Sequence, residues 1–162
     1  MPSVIVDTSV NTHISRTLGC ALAAAALTTT LAACGQAARA DASGAPIRAE
    51  EVDNLGDIVV AADGMTVYAF EGDSGAVSGC LGPCLKNWPI VAAPDTVPES
   101  ANGIGAPLGT IVRQDGVRQL TLDSHPLYTF VQDTAPGQHN GVGKKLGDYR
   151  WGVVLADGTP RY

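Results

Sequence analysis

The stretch VYAFEGD, residues 67–73, is nearly repeated later in the chain as LYTFVQD, residues 127–133. Both copies contain the skeleton Tyr-x-Phe-x-x-Asp. Side chains two positions apart in a strand point to the same face, so the tyrosine and phenylalanine of each copy would lie together. Asp73 and Asp133 follow where the strand ends, and a carboxylate there can accept backbone N–H bonds and fix a turn. The string is therefore interpreted as a strand-and-turn unit that occurs twice.

The aromatic residues around the two strings are also related. Trp88 follows Tyr68 at nearly the same sequence separation at which Trp151 follows Tyr128. Six of the eight aromatic residues occupy corresponding places in the two copies: Tyr68, Phe70, Trp88, Tyr128, Phe130 and Trp151. Aromatic side chains bury the largest apolar areas, so this placement predicts two related antiparallel β units that share one aromatic core. Each unit alone is too small to bury its apolar face well.

The two copies differ in the length that precedes the string. LGDIVV (residues 55–60) lies closer to Tyr68 than the similar LGTIVR (residues 108–113) lies to Tyr128. If these segments correspond, the second copy contains the additional segment QDGVRQLTLD, residues 114–123. This segment has a turn sequence followed by alternating apolar residues, which predicts an added hairpin.

The composition of the chain favours one all-β domain. Its 162 residues are 45% hydrophobic and 16% charged, and they include 19 glycines and 10 prolines. This glycine and proline content predicts many tight turns and short strands, with at most a minor short helix near residues 84–88. The net charge of −6 and the absence of a basic run argue against nucleic acid as a partner.

The N-terminal segment, residues 1–33, resembles a secretory signal peptide. Arg16 precedes an alanine-rich apolar run, and small residues end that run before Cys34. The alternative is a transmembrane anchor. However, the apolar part, residues 18–33, is shorter than the roughly 20 residues that a membrane span needs. The segment therefore predicts export.

The end of this segment, LAAC (residues 31–34), resembles the bacterial lipobox. In such proteins the signal is cut before the cysteine, which then carries acyl chains such as palmitate. The resemblance implies lipidation at Cys34, with an unlipidated secreted or buried cysteine as the alternative. Cys20 is a poorer candidate because Thr17 occupies the apolar position of its motif. Acylated Cys34 would hold the chain on membrane lipid, outside the cytoplasm, at the cell membrane or outer membrane.

The segment behind Cys34 is interpreted as a tether. GQAARADASGAP, residues 35–46, is small, polar and without hydrophobic periodicity. A flexible coil of that length would reach on the order of 20 Å. The duplicated β domain is then predicted over residues 47–162, with repeat one at about 55–91 and repeat two at about 108–158.

Further motifs connect the chain to a known family. CLGPC, residues 80–84, is followed by Trp88-Pro89. Together with both copies of Tyr-x-Phe-x-x-Asp, these residues resemble a bacterial surface lipoprotein family with the motif Y-x-[FWY]-x-x-D. Its secreted repeat often carries C-x-G-x-C followed by W-P. The resemblance covers residues 55–158 and departs in the proline doublet, because Ile90 follows Pro89. The family has no established activity, so the resemblance implies fold and location.

Cys80 and Cys84 are predicted to form a disulfide. Two nearby cysteines in an exported protein most often pair. The alternative is a redox site, but a catalytic dithiol usually has the spacing C-x-x-C and one thiol at a helix N-terminus. A zinc site would need two further ligands, and the folded part of the sequence has no second cysteine pair.

His125 and His139 are weak candidates for metal ligands. Together with the cysteines they could form a soft-metal site for copper or zinc. Nothing in their spacing requires such a site, and the commoner role of such residues is in exposed turns. No metal or other cofactor is therefore predicted.

The sequence favours a non-catalytic module that binds an envelope ligand or a protein partner. It contains no nucleophile-elbow, zinc-protease or phosphate-loop motif. Carboxylates distant in the chain could still meet in space, as in glycosidases, so an enzymatic activity stays open. The alternative function is a redox or copper-handling accessory protein that uses Cys80, Cys84 and the histidines.

Overall fold

The computed structural model of the chain describes residues 44–162. The predicted signal peptide, the lipidation site Cys34 and the tether up to residue 43 lie outside this part. The described elements are β1 (Ile47–Val52), β2 (Gly56–Ala61), β3 (Tyr68–Phe70), a 3-10 helix (Gly82–Lys86), β4 (Leu108–Val112), β5 (Arg118–Leu122), β6 (His125–Pro126), β7 (Lys145–Leu146), β8 (Tyr149–Val154) and β9 (Pro160–Arg161). The predicted all-β fold with a minor helix is confirmed.

The strands pair antiparallel in three sheets. One sheet contains β1 and β2, and a second has the order β4-β5-β6. The third has the order β3-β8-β7, with β9 also paired to β8. The β5–β6 turn holds Asp123 and Ser124 at positive φ, as the two-residue turns of twisted hairpins require.

The two repeats meet at the two motif tyrosines. The backbone N–H of Tyr68 donates to the carbonyl of Tyr128 at 2.8 Å, and the N–H of Tyr128 donates to the carbonyl of Tyr68 at 2.9 Å. Two residues that exchange both bonds form one step of an antiparallel ladder. Because these are corresponding residues of the two copies, an approximate two-fold axis passes between them.

Each tyrosine strand pairs with the tryptophan segment of the other repeat. In the first case β3 pairs with β8, with Phe70 opposite Trp151. In the second case the N–H of Val91 donates to the carbonyl of Leu127 at 2.9 Å. The repeats therefore exchange strands. The tyrosine strand of each repeat forms backbone hydrogen bonds with the tryptophan segment of the other repeat.

The structure corrects the predicted correspondence between the copies. Leu127 N–H donates to the carbonyl of Leu120 at 3.0 Å, and Val67 N–H donates to the carbonyl of Val59 at 3.0 Å. Consequently β2 corresponds to β5, and β1 corresponds to β4. The predicted match between the two Leu-Gly segments is wrong, and β4–β5 is not an added hairpin. The first copy has its own hairpin, β1–β2, which begins at Ile47.

The central strands bury both of their faces, and the two faces differ in chemistry. Along β2, Val59 packs on one side while Ile58 and Val60 pack on the other. The first face is aliphatic: Ile47, Val59, Val67, Ala69, Val91, Ala101, Leu120, Leu122, Leu127 and Val154. The second is largely aromatic: Ile58, Val60, Tyr68, Phe70, Cys80, Trp88, Tyr128, Phe130, Trp151 and Val153. The second cluster contains all six paired aromatic residues, so the predicted shared aromatic core is confirmed.

Candidate functional site

Four rings of the core form one continuous stack. Trp88 and Trp151 lie parallel, with ring centroids 3.7 Å apart and planes 4° apart. Phe70 stacks on Trp151 at 4.5 Å, and Phe130 stacks on Trp88 at 4.3 Å. Each contact in the stack joins one repeat to the other. Because the four side chains are at most 6% exposed, the stack stabilises the core and is not a ligand platform.

The motif tyrosines bond to the motif aspartates across the repeats. Tyr68 Oη donates to Asp133 Oδ2 at 2.6 Å in a buried position. Tyr128 Oη donates to Asp73 Oδ1 at 3.2 Å. The tyrosine and aspartate of the motif therefore act in pairs formed by two different copies.

Both aspartates also accept a backbone N–H from the loop that follows. Asp73 Oδ1 accepts the N–H of Gly79 at 2.7 Å, and Asp133 Oδ1 accepts that of Asn140 at 2.8 Å. These partners lie six and seven residues ahead, beyond the tight turn that the sequence suggested. The aspartates thus hold long loops as well as the tyrosines of the opposite repeat.

Arg113 is buried beside this network, at the position that Val52 has in the first copy. Its guanidinium donates to Ser78 Oγ and Gln119 Oε1 at 2.7 Å each. It also donates to the carbonyl of Cys80 at 2.8 Å. Ser78 Oγ lies 2.6 Å from Tyr128 Oη and shares a hydrogen bond with it. These acceptors satisfy the hydrogen-bonding needs of the buried guanidinium. Because Ser78 and Cys80 belong to the disulfide loop and Gln119 to the second repeat, Arg113 links the two.

Burial dominates the ionisation of this network. It raises the pKa of Asp73 to about 6, against the opposing effects of the Gly79 N–H, the Tyr128 hydroxyl and the Arg113 charge. Asp73 Oδ2 is buried and has no partner within residues 44–162. Burial and the nearby Asp73 charge raise the pKa of Tyr128 to about 12. Burial also raises the pKa of Tyr68. Both phenols are therefore neutral hydrogen-bond donors near pH 7.

The predicted disulfide between Cys80 and Cys84 is confirmed, with Cα atoms 5.4 Å apart. Cys80 is fully buried in the aromatic cluster. The bridge therefore fixes the loop whose Cys80 carbonyl accepts the Arg113 bond.

The weak metal candidates His125 and His139 lie in no cluster of metal-ligating side chains within the described residues. His125 lies in β6, and His139 is exposed with Nδ1 3.1 Å from the carbonyl of Gly137. Within residues 44–162, no group of three or more His, Cys, Asp or Glu side chains is placed to hold a metal ion.

The duplication produces two clefts at corresponding places, each between a hairpin turn and the loop after a motif aspartate. The first, of about 270 Å³, is lined by Val77, Leu81, Ile111 and Val112, with Arg113 among its residues. The second, of about 410 Å³, is lined by residues that include Glu50, Glu51, Asp53 and His139. The cleft at the β4–β5 turn is thus largely apolar, and the corresponding cleft at the β1–β2 turn is acidic.

A third cleft combines aromatic and cationic residues. It has a volume of about 240 Å³, and its lining is Asn87, Trp88, Phe130, Gln132, Lys144 and Lys145. Lys144 Nζ lies 5.9 Å from the centroid of the Phe130 ring, within the range of a cation–π contact. The chain has three lysines, and the third, Lys86, directly precedes Asn87. This lysine cleft therefore gathers positive charge on an acidic chain.

A family match connects the chain to other proteins. The family described as a secreted repeat of unknown function matches residues 52–92 and 109–154. The two matches cover more than half of the chain. The chain belongs to this family. No curated protein and no solved structure matches the chain.

Membership in the secreted-repeat family indicates an extracellular or envelope location. The predicted resemblance to that family is confirmed. Among residues 44–162, no helix has both the length and the apolar character that a membrane span needs.

Sequence reasoning missed Arg113 and the lysine cleft. Arg113 follows a strand and precedes Asp115-Gly116, where an arginine ordinarily stays in solvent. The lysine cleft joins residues 87, 130 and 144, which only the exchanged pairing brings together. The one available signal was the restriction of lysine to positions 86, 144 and 145.

Proposed function

We propose that the chain is a lipid-anchored, extracytoplasmic module that binds an acidic polymer of the cell envelope in the lysine cleft. The observation that carries this proposal is the position of the lysines. Lys144 and Lys145 line one cleft, and Lys86 directly precedes the lining residue Asn87, in a chain of net charge −6. A polyanion is repelled by most of such a surface and attracted at this cleft.

Neither lining lysine forms an ion pair within the described residues, although the charge of Lys145 helps to lower the pKa of the Glu71 carboxyl. The ion pairs of residues 44–162 all use arginine: Arg48 with Glu50, Arg113 with Asp115, and Arg150 with Glu71. An exposed charge pair contributes about 1 kcal/mol or less, so a single anion would bind weakly. A polymer with repeated charges gains avidity across several such contacts. Polymeric anions therefore suit this cleft better than small ones.

The aromatic edges support a carbohydrate polymer. Trp88 and Phe130 are each 6% exposed and leave small apolar surfaces in the cleft. The stack covers faces of both rings, so a sugar unit would touch only their outer edges while its carboxylates meet the lysines. A uronate-type polysaccharide has both features.

Lipid anchoring is supported by the sequence LAAC at residues 31–34 and by the secreted-repeat membership. Acyl chains on Cys34 would hold the chain on the membrane without a span. The polar segment that follows would let the lysine cleft reach polymer above the lipid surface.

Metabolic labelling with a clickable fatty acid tests the anchor. We expect label on the wild-type chain and on a Cys20→Ala control, and none on Cys34→Ala. Label that persists on Cys34→Ala would contradict the assignment.

Binding of the full processed chain to alginate, a polyuronate, tests the ligand class, with dextran as the neutral comparison. We expect alginate binding that weakens with added salt, because screening acts on exposed charges. The double variant Lys144→Gln/Lys145→Gln should lose this binding. Arg161→Gln is the control, since its guanidinium contacts the carbonyl of Leu55 and does not line the cleft. Equal binding of alginate by the double variant would refute the proposal.

The redox or copper-handling alternative has no specific observation in its favour. Cys80 and Cys84 are joined in the described structure, and Cys80 is buried. Neither histidine lies in a group of metal-ligating side chains within residues 44–162.

A further inference from the structure

Among residues 44–162, no strand pairs with the outer edge of β4. In the sheet β4-β5-β6, β4 pairs only with β5. Leu120 lies opposite Thr110. The N–H of Leu120 donates to the carbonyl of Val91, and the carbonyl of Leu120 accepts the N–H of Leu127. Both groups of Leu120 therefore face away from β4. In an antiparallel pair the opposite residue then also faces away, so the N–H and carbonyl of Thr110 point outward.

The same alternation turns the backbone groups of Leu108 and Val112 outward. Within the described residues, the backbone of Thr110 and Val112 has no partner on this side. Val112 is 72% exposed and Val77, across the adjoining cleft, is 60% exposed. The edge thus combines unpaired backbone groups with exposed apolar side chains.

The corresponding edge of the first repeat is closed. Ala49 in β1 corresponds to Thr110, and its N–H donates to the carbonyl of Asn102 at 2.9 Å. Strand β1 also carries Arg48, Glu50 and Glu51, whereas β4 has the uncharged sequence LGTIV. Charged residues and covering loops are the devices by which proteins protect edge strands from pairing. Repeat one has both devices, and β4 has neither.

We propose that the β4 edge pairs with the β4 edge of a second copy of this chain. Two antiparallel β4 strands centred on Thr110 place Leu108 of each copy opposite Val112 of the other. This register allows about six backbone hydrogen bonds and places no like charges opposite each other. A strand that pairs with itself about a two-fold axis gives a closed dimer. The dimer joins two three-stranded sheets into one continuous sheet.

A second copy suits this edge better than a charged peptide, because β4 offers no charge to recognise one. The exposed side chain of Val112 would meet Leu108 of the partner copy, and the apolar cleft of Val77 and Leu81 would lie beside the new strand. This inference is independent of the acidic polymer proposed above, because the lysine cleft contains no residue of β4.

Cysteine crosslinking of the full chain in its own membrane tests the dimer. In Thr110→Cys the two thiols face each other, since directly opposed residues lie at a Cα distance that a disulfide can bridge. We expect mild oxidation to shift most of this variant to the dimer mass on non-reducing gels. The matched control is Ala49→Cys, the corresponding position on the closed edge, which should stay monomeric like the wild type.

The register has its own test. Two differently tagged copies, one Leu108→Cys and one Val112→Cys, should crosslink to each other and not to themselves. A Thr110→Cys chain that stays monomeric would overturn the proposal. Crosslinking of Ala49→Cys to the same extent would also overturn it, because that result indicates random collision.

Discussion

At the scale of single residues, the two motif aspartates are equivalent in sequence and unequal in environment. Asp133 uses both oxygens, one for Tyr68 and one for the N–H of Asn140. Asp73 uses Oδ1 for its two donors and leaves Oδ2 buried without a partner in the described part of the chain. Burial accordingly raises the pKa of Asp73 to about 6. The same substitution at the two sites should therefore have opposite effects.

Asp73→Asn should remove a pH dependence. Between the ordinary aspartate pKa of about 4 and the raised pKa, the folded chain binds more protons than the unfolded chain. The free energy of unfolding therefore falls as the pH rises through this window, by at most about 3 kcal/mol. The introduced amide would stay neutral, so the variant should lose this decline and be at least as stable as wild type at pH 7.5. Urea unfolding at pH 4.5 and 7.5 measures both effects.

Asp133→Asn is the matched comparison. The amide has a single acceptor oxygen, so one of the two donors, Tyr68 Oη or Asn140 N–H, loses its partner. A buried donor left unsatisfied costs about 1–3 kcal/mol. We expect this variant to be less stable than wild type at both pH values and to keep the decline that Asp73 causes. If the free energy of unfolding of Asp73→Asn still fell between pH 4.5 and 7.5 as it does in wild type, the pH dependence would not come from Asp73.

Phe70 and Phe130 lie at the two ends of the ring stack and should contribute similar amounts to the stability of the fold. They are 4% and 6% exposed, and each stacks on a tryptophan of the other repeat. Truncation of a buried phenylalanine typically costs about 3–5 kcal/mol. Phe70→Ala and Phe130→Ala should each lower the melting temperature markedly and by comparable amounts. Unchanged midpoints in thermal scans of both variants would show that the stack is a surface and not a core.

At the scale of elements, sequence reasoning found the strands that carry local patterns and missed the register between them. The sequence predicts Tyr68 and Phe70 on one strand face because the alternation of side chains along a strand is a local property. The recurrence of Leu-Gly at residues 55 and 108 misaligns the two hairpins, whereas the true correspondence follows from hydrogen bonds between strands, such as that from Leu127 N–H to the carbonyl of Leu120. A strand that pairs within its own repeat and a strand that pairs with the other repeat show the same alternation of side chains. The sequence pattern alone therefore does not reveal that the strands are exchanged between the repeats.

The disulfide loop gives an element-scale prediction. The Cys80–Cys84 bridge closes a short loop, and closing a loop of that length contributes about 2 kcal/mol in the chain-entropy model. Cys80→Ala/Cys84→Ala should lower the unfolding free energy by about that amount and leave a cooperative transition. Chemical denaturation at equilibrium measures it. Loss of all cooperative unfolding would mean that the bridge, and not the aromatic stack, organises the fold.

At the scale of the whole molecule, the two copies form one folding unit. The reciprocal bonds of Tyr68 and Tyr128, the exchanged strands and the alternating ring stack all join one repeat to the other. Because the tyrosine strand of each repeat pairs with the tryptophan segment of the other, a single copy would expose an unpaired strand edge and half of the ring stack. The string occurs twice because each copy completes the other.

Separation of the repeats tests this exchange most directly. The chain can be divided between Glu99 and Ser100, which are both exposed, into residues 44–99 and 100–162. Each fragment alone should show no near-ultraviolet circular dichroism from ordered tryptophan and no cooperative unfolding. An equimolar mixture should recover both signals, because it restores the parallel stack of Trp88 and Trp151. Cooperative unfolding of either fragment alone would contradict the exchange of strands.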